Sequence, residues 1–220
     1  MEHINRYIEH TVLKPDVTLK DIESAVKEAL HYRFAGICVP PYWIKIAKKA
    51  IGEEDVLLIA PIGCPLGYSV TDIKLAEINK AIGDGADELD MVWNISAFKS
   101  NPGWAKEEIE KCVSAVHDAN RILKIILETC YLDNEEIIEA CTICSNSGVD
   151  FVKTSTGFGP AGARVEDITL MRKVLPSHIG IKASGGIRDF ASAVSMIQAG
   201  ADRIGTSSGS KIIKEAMQTL

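Results

Sequence analysis

Short apolar segments alternate eight times with segments of helical length along the chain. The predicted strands are residues 7–13, 34–39, 56–60, 88–92, 122–128, 150–154, 179–183 and 202–206. The predicted helices lie near residues 18–32, 41–50, 70–83, 104–119, 133–146, 164–175, 188–199 and 208–219. Such regular alternation is typical of parallel strands that are joined by crossover helices.

A short Gly-x-Asp sequence recurs where a predicted helix leads into a predicted strand. It begins at Gly85, Gly148 and Gly200, and Gly36 marks a looser fourth copy. Glycine readily adopts the left-handed conformation that ends many helices, so the repeat predicts a common type of helix-to-strand junction.

Eight strand–helix units predict a closed (βα)8 TIM barrel, formed as a single domain by residues 1–220. Typical barrels of this kind contain about 250 residues, so this one is expected to have short loops. The alternative is an open doubly wound sheet, which is disfavoured because no Gly-x-Gly-x-x-Gly sequence follows the first strand. No linker rich in proline, glycine or serine divides the chain.

Composition limits the classes of function that this chain can have. Its net charge of −6 argues against a nucleic-acid-binding protein, which normally presents a basic face. The sequence shows neither a signal peptide nor an apolar run of transmembrane length. Its six cysteines are therefore expected to be reduced, in a cytoplasmic protein with no membrane partner.

Two lysines follow apolar strand residues at the expected carboxyl ends of strands, where barrel active sites form. Lys153 is followed by Thr-Ser-Thr-Gly, and Lys182 is followed by Ala-Ser-Gly-Gly. A single lysine in such a position is more often an ion-pair partner than a nucleophile. A second nearby cation disfavours the ammonium form of the first, and a neutral amine is the nucleophile of Schiff-base chemistry. The pair therefore predicts covalent catalysis on a carbonyl substrate.

Other polar residues fall on the same predicted strands. Asp90, at the end of strand four, is a candidate functional residue, and the alternative is a purely structural pairing with Lys124. Lys124 lies in mid-strand, so both a structural and a catalytic role remain open. Glu128 is interpreted as a residue that orients a lysine, and Cys38 either lines the site or fills the core.

Glycines after the last two strands predict a phosphate site. Gly185 and Gly186 follow strand seven, and the segment from Gly205 to Gly209 follows strand eight. Backbone N–H groups near helix starts bind phosphate, and these two loops are the usual phosphate site of such barrels. The alternative is that these glycines form ordinary turns.

Neither metal nor cofactor chemistry is expected from the residue spacing. The five histidines show no ligand spacing, and Cys141-x-x-Cys144 has no second cysteine pair. We therefore expect a metal-independent protein that uses its own side chains.

Three segments, ELDMVWN at 88–94, VKTSTGF at 152–158 and IKASGGIR at 181–188, resemble the deoxyribose-phosphate aldolase family. Residues 9–15, 36–39 and 203–208 do so as well, and the resemblance covers almost the whole chain. It implies a class I aldolase that reversibly cleaves 2-deoxy-D-ribose 5-phosphate to acetaldehyde and D-glyceraldehyde 3-phosphate. It also implies a homodimer without a cofactor, acting on a phosphorylated sugar and aldehydes.

The resemblance also implies a role for individual residues. Lys153 corresponds to the Schiff-base lysine, Lys182 to the neighbour that disfavours its ammonium form, and Asp90 to the residue that transfers protons through an ordered water. The implied phosphate and substrate contacts are Gly157, Gly185, Gly186, Gly205, Ser207 and Ser208. The implied supporting residues are Lys124, Thr11 and Cys38.

Two departures from the family pattern concern substrate binding. Glu9 stands where many members have aspartate, and Phe158 replaces a lysine that some members have. The remaining alternatives are a different Schiff-base barrel enzyme, such as one resembling transaldolase, and a phosphate-binding barrel without turnover.

Overall fold

The computed structural model describes residues 3–219 and contains a closed barrel of eight parallel strands, each paired with its neighbours in chain order. The strands are β1 (Ile8–Thr11), β2 (Gly36–Cys38), β3 (Leu57–Ile62), β4 (Glu88–Val92), β5 (Ile122–Ile126), β6 (Phe151–Lys153), β7 (Gly180–Ser184) and β8 (Arg203–Thr206). Pairing of β1 with β8 closes the barrel. The predicted (βα)8 TIM barrel is confirmed.

Helices cover the outside of the barrel, and most of their inward side chains are buried with the outer faces of the strands. They are α1 (Leu19–Tyr32), α2 (Ile44–Ile51), α3 (Thr71–Gly83), α4 (Ile95–Ser100), α5 (Pro102–Asp118), α6 (Asn134–Asn146), α7 (Val165–Val174), α8 (Phe190–Gln198) and α9 (Gly209–Thr219). Short 3-10 helices add Ile4–Tyr7, Pro41–Trp43 and Thr129–Tyr131. Within residues 3–219, no helix is both long and apolar enough to cross a membrane.

The Gly-x-Asp junctions are confirmed as a repeated structural device. Gly85, Gly148 and Gly200 all have positive φ, at 106°, 77° and 114°. In each copy the aspartate carboxylate accepts the backbone N–H of the strand before, at 2.8–2.9 Å; the three pairs are Asp87 with Leu58, Asp150 with Leu123 and Asp202 with Ile181. The junction thus turns the chain and fixes the start of the next strand.

Small residues inside the barrel make room for large neighbours. A Cβ atom on Gly180 would lie 2.2 Å from the Phe151 ring, and one on Gly36 would lie 2.5 Å from Ile59 Cδ1. The barrel interior is therefore packed with side chains and is not an open pore, and it supports a polar layer at the carboxyl end of the strands.

Several predicted boundaries are wrong, each for a local reason. The predicted first strand begins too early, because Ile4–Tyr7 forms a 3-10 helix. The predicted fifth strand ends too late, because Glu128 adopts a left-handed backbone conformation beyond β5. Helix α4 was missed; it is only one and a half turns long, and the Asn94 side chain accepts the N–H of Ala97 at its start.

Candidate active site

The two predicted lysines are direct neighbours in the barrel. Lys153 on β6 pairs in register with Lys182 on β7, and Asp90 on β4 pairs with Lys124 on β5. Because side chains alternate along a strand, this register directs all four into the barrel interior near its carboxyl end. The fold therefore brings together the four charged residues that the sequence analysis selected.

Asp90 lies at the centre of this cluster. Its Oδ2 accepts from Lys153 Nζ at 2.8 Å and from Lys182 Nζ at 2.6 Å, and its Oδ1 accepts from Lys124 Nζ at 2.9 Å. The Asp90 side chain has no solvent-exposed surface. One carboxylate therefore joins the two predicted catalytic lysines, and the pairing of Asp90 with Lys124 is not exclusive.

Two further carboxylates complete the cluster: Glu9, which the sequence analysis noted only as a departure from the family pattern, and Glu88, which it did not select. Glu9 accepts from Lys182 in a short contact and lies 3.6 Å from Lys124. Glu88 lies 2.5 Å from Lys124 Nζ. Glu88 is two residues before Asp90, so strand alternation alone places both on one face and was the available signal.

The buried charges hold one another ionised. Burial by itself raises the pKa of Asp90, but Lys124, Lys153 and Lys182 hold that pKa well below its ordinary value of 3.8. Burial opposes the ammonium form of Lys182, yet Asp90 and Glu9 raise its pKa above 10.5. At neutral pH, Asp90 is therefore an anion and Lys182 a cation beside Lys153.

A cavity of about 570 Å³ opens above this cluster at the carboxyl end of the barrel. Lys153 lines the cavity and keeps 5% of its side chain exposed, whereas the Lys182 side chain is fully buried. The two lysines are therefore not equivalent: a molecule in the cavity reaches Lys153 first.

Most of the predicted phosphate and substrate contacts line the same cavity, namely Gly157, Gly185, Gly186, Gly205 and Ser207. Thr11, predicted as a supporting residue, lines it as well. Ser208 follows directly, but its backbone N–H donates to Thr206 Oγ1 at 2.9 Å within the chain. Cys38 is fully buried in the barrel, where burial raises the pKa of its thiol to about 12.

The predicted phosphate loops differ in detail from expectation. Helix α8 begins at Phe190, and the Asp189 carboxylate already accepts the N–H of Ser192 in its first turn. Any anion at Gly185 and Gly186 therefore meets loop backbone instead of a free helix N-terminus. Gly205 has a second reason to be glycine, because a Cβ there would lie 3.0 Å from Lys182 Cε.

Glu128 does not contact a lysine in the way that the sequence interpretation expected. It has φ 54° and ψ 64°, a left-handed conformation that costs a non-glycine residue about 1–3 kcal/mol. Its buried carboxylate accepts the backbone N–H of Thr156 at 3.2 Å and the hydroxyl of Thr156 in a short contact. The residue instead holds the loop that follows Lys153.

A second ion pair, outside the barrel, supports β4. Lys74 on α3 donates to Glu108 on α5 at 2.7 Å and to the carbonyl of Val92 at 2.9 Å. Glu108 also accepts the N–H of Asn94 at 3.1 Å. Both charges are buried, so together they fix the end of the strand that carries Asp90.

Within residues 3–219, no group of three or more His, Cys, Asp or Glu side chains is arranged to hold a metal ion. All six cysteines are free in the structure.

Comparison with known proteins identifies the family. A family model described as DeoC/LacD family aldolase matches residues 4–215. A deoxyribose-phosphate aldolase from Thermococcus gammatolerans is 50% identical over 216 residues, which cover 97% of this chain and 96% of that protein. One from Brevibacillus brevis is 48% identical over 219 residues, which cover 99% of this chain and 98% of that protein.

Solved structures agree with the sequence comparison. A tetrameric deoxyribose phosphate aldolase from Aeropyrum pernix superposes with a TM-score of 0.92 at 31% identity, covering 99% of this chain and 92% of that chain. Fold, lysine-lined cavity and sequence relatives thus lead to one conclusion. The chain belongs to the DeoC/LacD family of aldolases.

Proposed function

We propose that this protein is a Schiff-base aldolase that reversibly cleaves 2-deoxy-D-ribose 5-phosphate to acetaldehyde and D-glyceraldehyde 3-phosphate. The observation that carries the proposal is Lys153, an amine at the floor of a cavity that shares the Asp90 carboxylate with Lys182. Its full-length relatives named deoxyribose-phosphate aldolase support the choice of substrate.

The carboxylates around Lys153 all have other cationic partners. The buried cluster contains three carboxylates, Glu9, Glu88 and Asp90. Three cations face them without Lys153: Lys124, Lys182 and Arg203, whose Nε lies 3.7 Å from Glu9. Each carboxylate of the cluster is therefore paired without Lys153, whose amine attacks a carbonyl in its neutral form.

The reaction begins when the Lys153 amine attacks the aldehyde carbon of the open-chain sugar. Loss of water from the carbinolamine gives an iminium ion, which withdraws electrons from the adjacent carbon. Removal of the proton from the 3-hydroxyl then breaks the C2–C3 bond and releases glyceraldehyde 3-phosphate. Protonation of the remaining enamine at C2 and hydrolysis release acetaldehyde and restore the amine.

Asp90 and Lys182 are proposed to move the protons. Asp90 Oδ2 lies 2.6 Å from Lys182 Nζ and 2.8 Å from Lys153 Nζ. A proton can therefore pass between these three groups directly or through one water. Lys124 and Glu9 are proposed to keep this pair charged instead of contacting substrate, since both are fully buried below it.

The remote phosphate is proposed to bind at the rim formed by Gly157, Gly185, Gly186 and Ser207. Lys14 and Arg188, two cations that sequence reasoning did not select, line the same cavity. These two cations are proposed to replace the positive charge of the lysine that some family members have at the position of Phe158. Phosphate binding at this rim orients the reacting end of the sugar.

Borohydride trapping tests the proposal. The protein is incubated with acetaldehyde and borohydride, and the adduct is mapped by peptide mass. We expect one reduced two-carbon adduct on Lys153, and Lys153→Ala is expected to lose both the adduct and turnover. The exposed Lys173→Ala, on α7, is the matched control. An adduct on Lys182 would exchange the two lysine roles.

A panel of phosphorylated and free sugars tests the substrate. Cleavage of 2-deoxy-D-ribose 5-phosphate in preference to the other sugars is the expected result. Preference for a different sugar phosphate would indicate a different aldolase, and a specific adduct without any turnover would indicate a barrel that has lost catalysis.

We also propose that the protein works in the cytoplasm as a homodimer, as the family resemblance implies. Light scattering in solution tests the assembly, and a tetramer, the state named for the Aeropyrum pernix relative, would refute the dimer.

A further inference from the structure

Glu128 has an unusual conformation that the proposed reaction does not use. It follows β5 with a left-handed backbone, which is uncommon for any residue other than glycine, asparagine or aspartate. Its side chain is buried among polar groups of the neighbouring loop, not exposed at the surface. Such a conformation persists when the surrounding structure requires it.

The contacts of Glu128 are concentrated on one short segment, residues 156–159. Both carboxylate oxygens accept the Thr156 N–H at 3.2 Å, and Oε2 also accepts the Thr156 hydroxyl. Thr156 Oγ1 in turn accepts the N–H of Phe158 at 3.0 Å. Gly159 packs so closely that an added Cβ would lie 3.1 Å from Glu128 Cδ.

Within residues 156–158, this bonding pattern leaves one backbone amide available. The N–H groups of Thr156 and Phe158 are bonded inside the loop, and among the described residues the N–H of Gly157 between them has no partner. Gly157 has φ 90° and lines the cavity together with Thr156 and Phe158. A fixed, unbonded backbone N–H in a cavity wall is a preorganised donor for an anion.

We propose that Glu128 is a positioning residue that sets the Thr156–Phe158 segment in the conformation which receives the substrate phosphate. The inference rests on the proposed function and deepens it. Glu128 acts on binding of the phosphorylated end only, because the chemistry at Lys153 depends on Asp90 and Lys182, whose contacts do not include Glu128. Loss of Glu128 should therefore reduce discrimination between phosphorylated and free deoxyribose.

Steady-state kinetics of Glu128→Ala and Glu128→Gln tests the inference. For 2-deoxyribose 5-phosphate we expect KM to rise about tenfold or more in Glu128→Ala, which corresponds to about 1.4 kcal/mol or more of lost binding. Free 2-deoxyribose should keep its kcat/KM within about twofold, and acetaldehyde trapping on Lys153 should keep its rate. Glu128→Gln retains an oxygen for the Thr156 N–H and should recover part of the KM.

Glu77→Gln is the matched control. The Glu77 carboxylate also accepts a loop amide, from Gly63 at 2.7 Å, but this loop follows β3, and neither residue lines the cavity. We expect its KM for both sugars to be unchanged. Equal losses for both sugars in the Glu128 variants, or an unchanged KM for the phosphorylated sugar, would overturn the inference.

Calorimetric titration with inorganic phosphate separates this inference from the proposed function, because it needs no turnover. Wild type is expected to bind phosphate, Glu128→Ala to bind it about tenfold more weakly, and Glu128→Gln to recover part of the affinity. This result supports the positioning role even if no sugar is cleaved. Turnover with unchanged phosphate binding overturns the positioning role alone. A wild-type protein that neither cleaves the sugar nor binds phosphate overturns both.

Discussion

Lys124→Met tests whether the buried charges act as one cluster. Lys124 lies at 2.5 Å from Glu88, 2.9 Å from Asp90 and 3.6 Å from Glu9, and none of its side chain is exposed. Methionine has a similar length, so the substitution removes the charge with little change in packing volume. The variant should therefore report electrostatics and not a new cavity.

The expected loss is large because three carboxylates keep their burial and lose a shared partner. Breaking a buried ion pair by removing one partner costs about 3–5 kcal/mol of unfolding free energy. Domains of this kind have about 5–15 kcal/mol in total, so the variant should fold with a clearly lower denaturation midpoint. Urea denaturation at neutral pH measures the difference.

The control is Lys99→Met, at a surface ion pair with a similar contact distance. Lys99 lies 2.6 Å from Glu136, but the two side chains are 39% and 26% exposed, and exposed pairs contribute about 0–1 kcal/mol. A loss in Lys124→Met no greater than in Lys99→Met would refute the buried-cluster argument. Adding Glu88→Gln to Lys124→Met should recover part of the loss, since it removes one uncompensated charge.

The difference in unfolding free energy between wild type and Lys124→Met should also depend on pH, and the direction of the change follows from the pKa values. The folded pKa values of Glu9 and Asp90 lie below their ordinary values of 4.5 and 3.8, despite the opposing effect of burial. Their stabilisation is therefore present above those values and is lost as the pH falls through the folded pKa values. Among the neighbouring charges, Lys124 contributes most to lowering the pKa values of Glu9 and Asp90. Lys124→Met should therefore lose less unfolding free energy than wild type when the pH falls. The gap between wild type and variant should be widest near neutral pH and should narrow below about pH 4.

Two further predictions concern the packing and reactivity of the barrel. Gly180→Ala should lower the unfolding free energy by about 1–3 kcal/mol, because its Cβ would lie 2.2 Å from the Phe151 ring. Gly83→Ala is the control: a Cβ there meets open space at the end of α3, so the unfolding free energy should rise by about 0.4–1 kcal/mol. Cys38, whose pKa is raised to about 12 by burial, should resist alkylation at pH 8 until the protein unfolds, while the less buried Cys130 reacts first. Modification of native Cys38, mapped by peptide mass, would contradict this.

The barrel was predictable because its signals are local. Each strand is a short apolar run, and the Gly-x-Asp repeat marks three of the junctions between helix and strand. Parallel strands place their carboxyl ends at one rim, so Asp90, Lys153 and Lys182 were bound to converge once eight units were recognised. Pairing of β4 with β5 and of β6 with β7 then sets which of these residues lie side by side.

The rest of the site depends on contacts between segments that are far apart in the chain. Glu9 meets Lys182 across 173 positions, a contact that exists only because β1 closes against β8. The link between Glu128 and Thr156 requires a left-handed residue after β5, which no residue type in that segment signals. Sequence patterns fix which side chains face inward, but not which of several inward carboxylates each lysine contacts.

The same limitation explains why the residue pattern, without the family resemblance, treats Lys153 and Lys182 alike. Both are preceded by apolar residues and followed by small ones, and they pair in register. Their environments differ, because the Lys182 amine turns inward to Glu9 and Asp90, and Gly205 on β8 packs beside it. Lys153 keeps its amine at the cavity floor. A Cβ at position 205 would lie 2.8 Å from Ser184 Cβ and 3.0 Å from Lys182 Cε, so Gly205→Ala should disturb Ser184 and Lys182 before it disturbs Lys153.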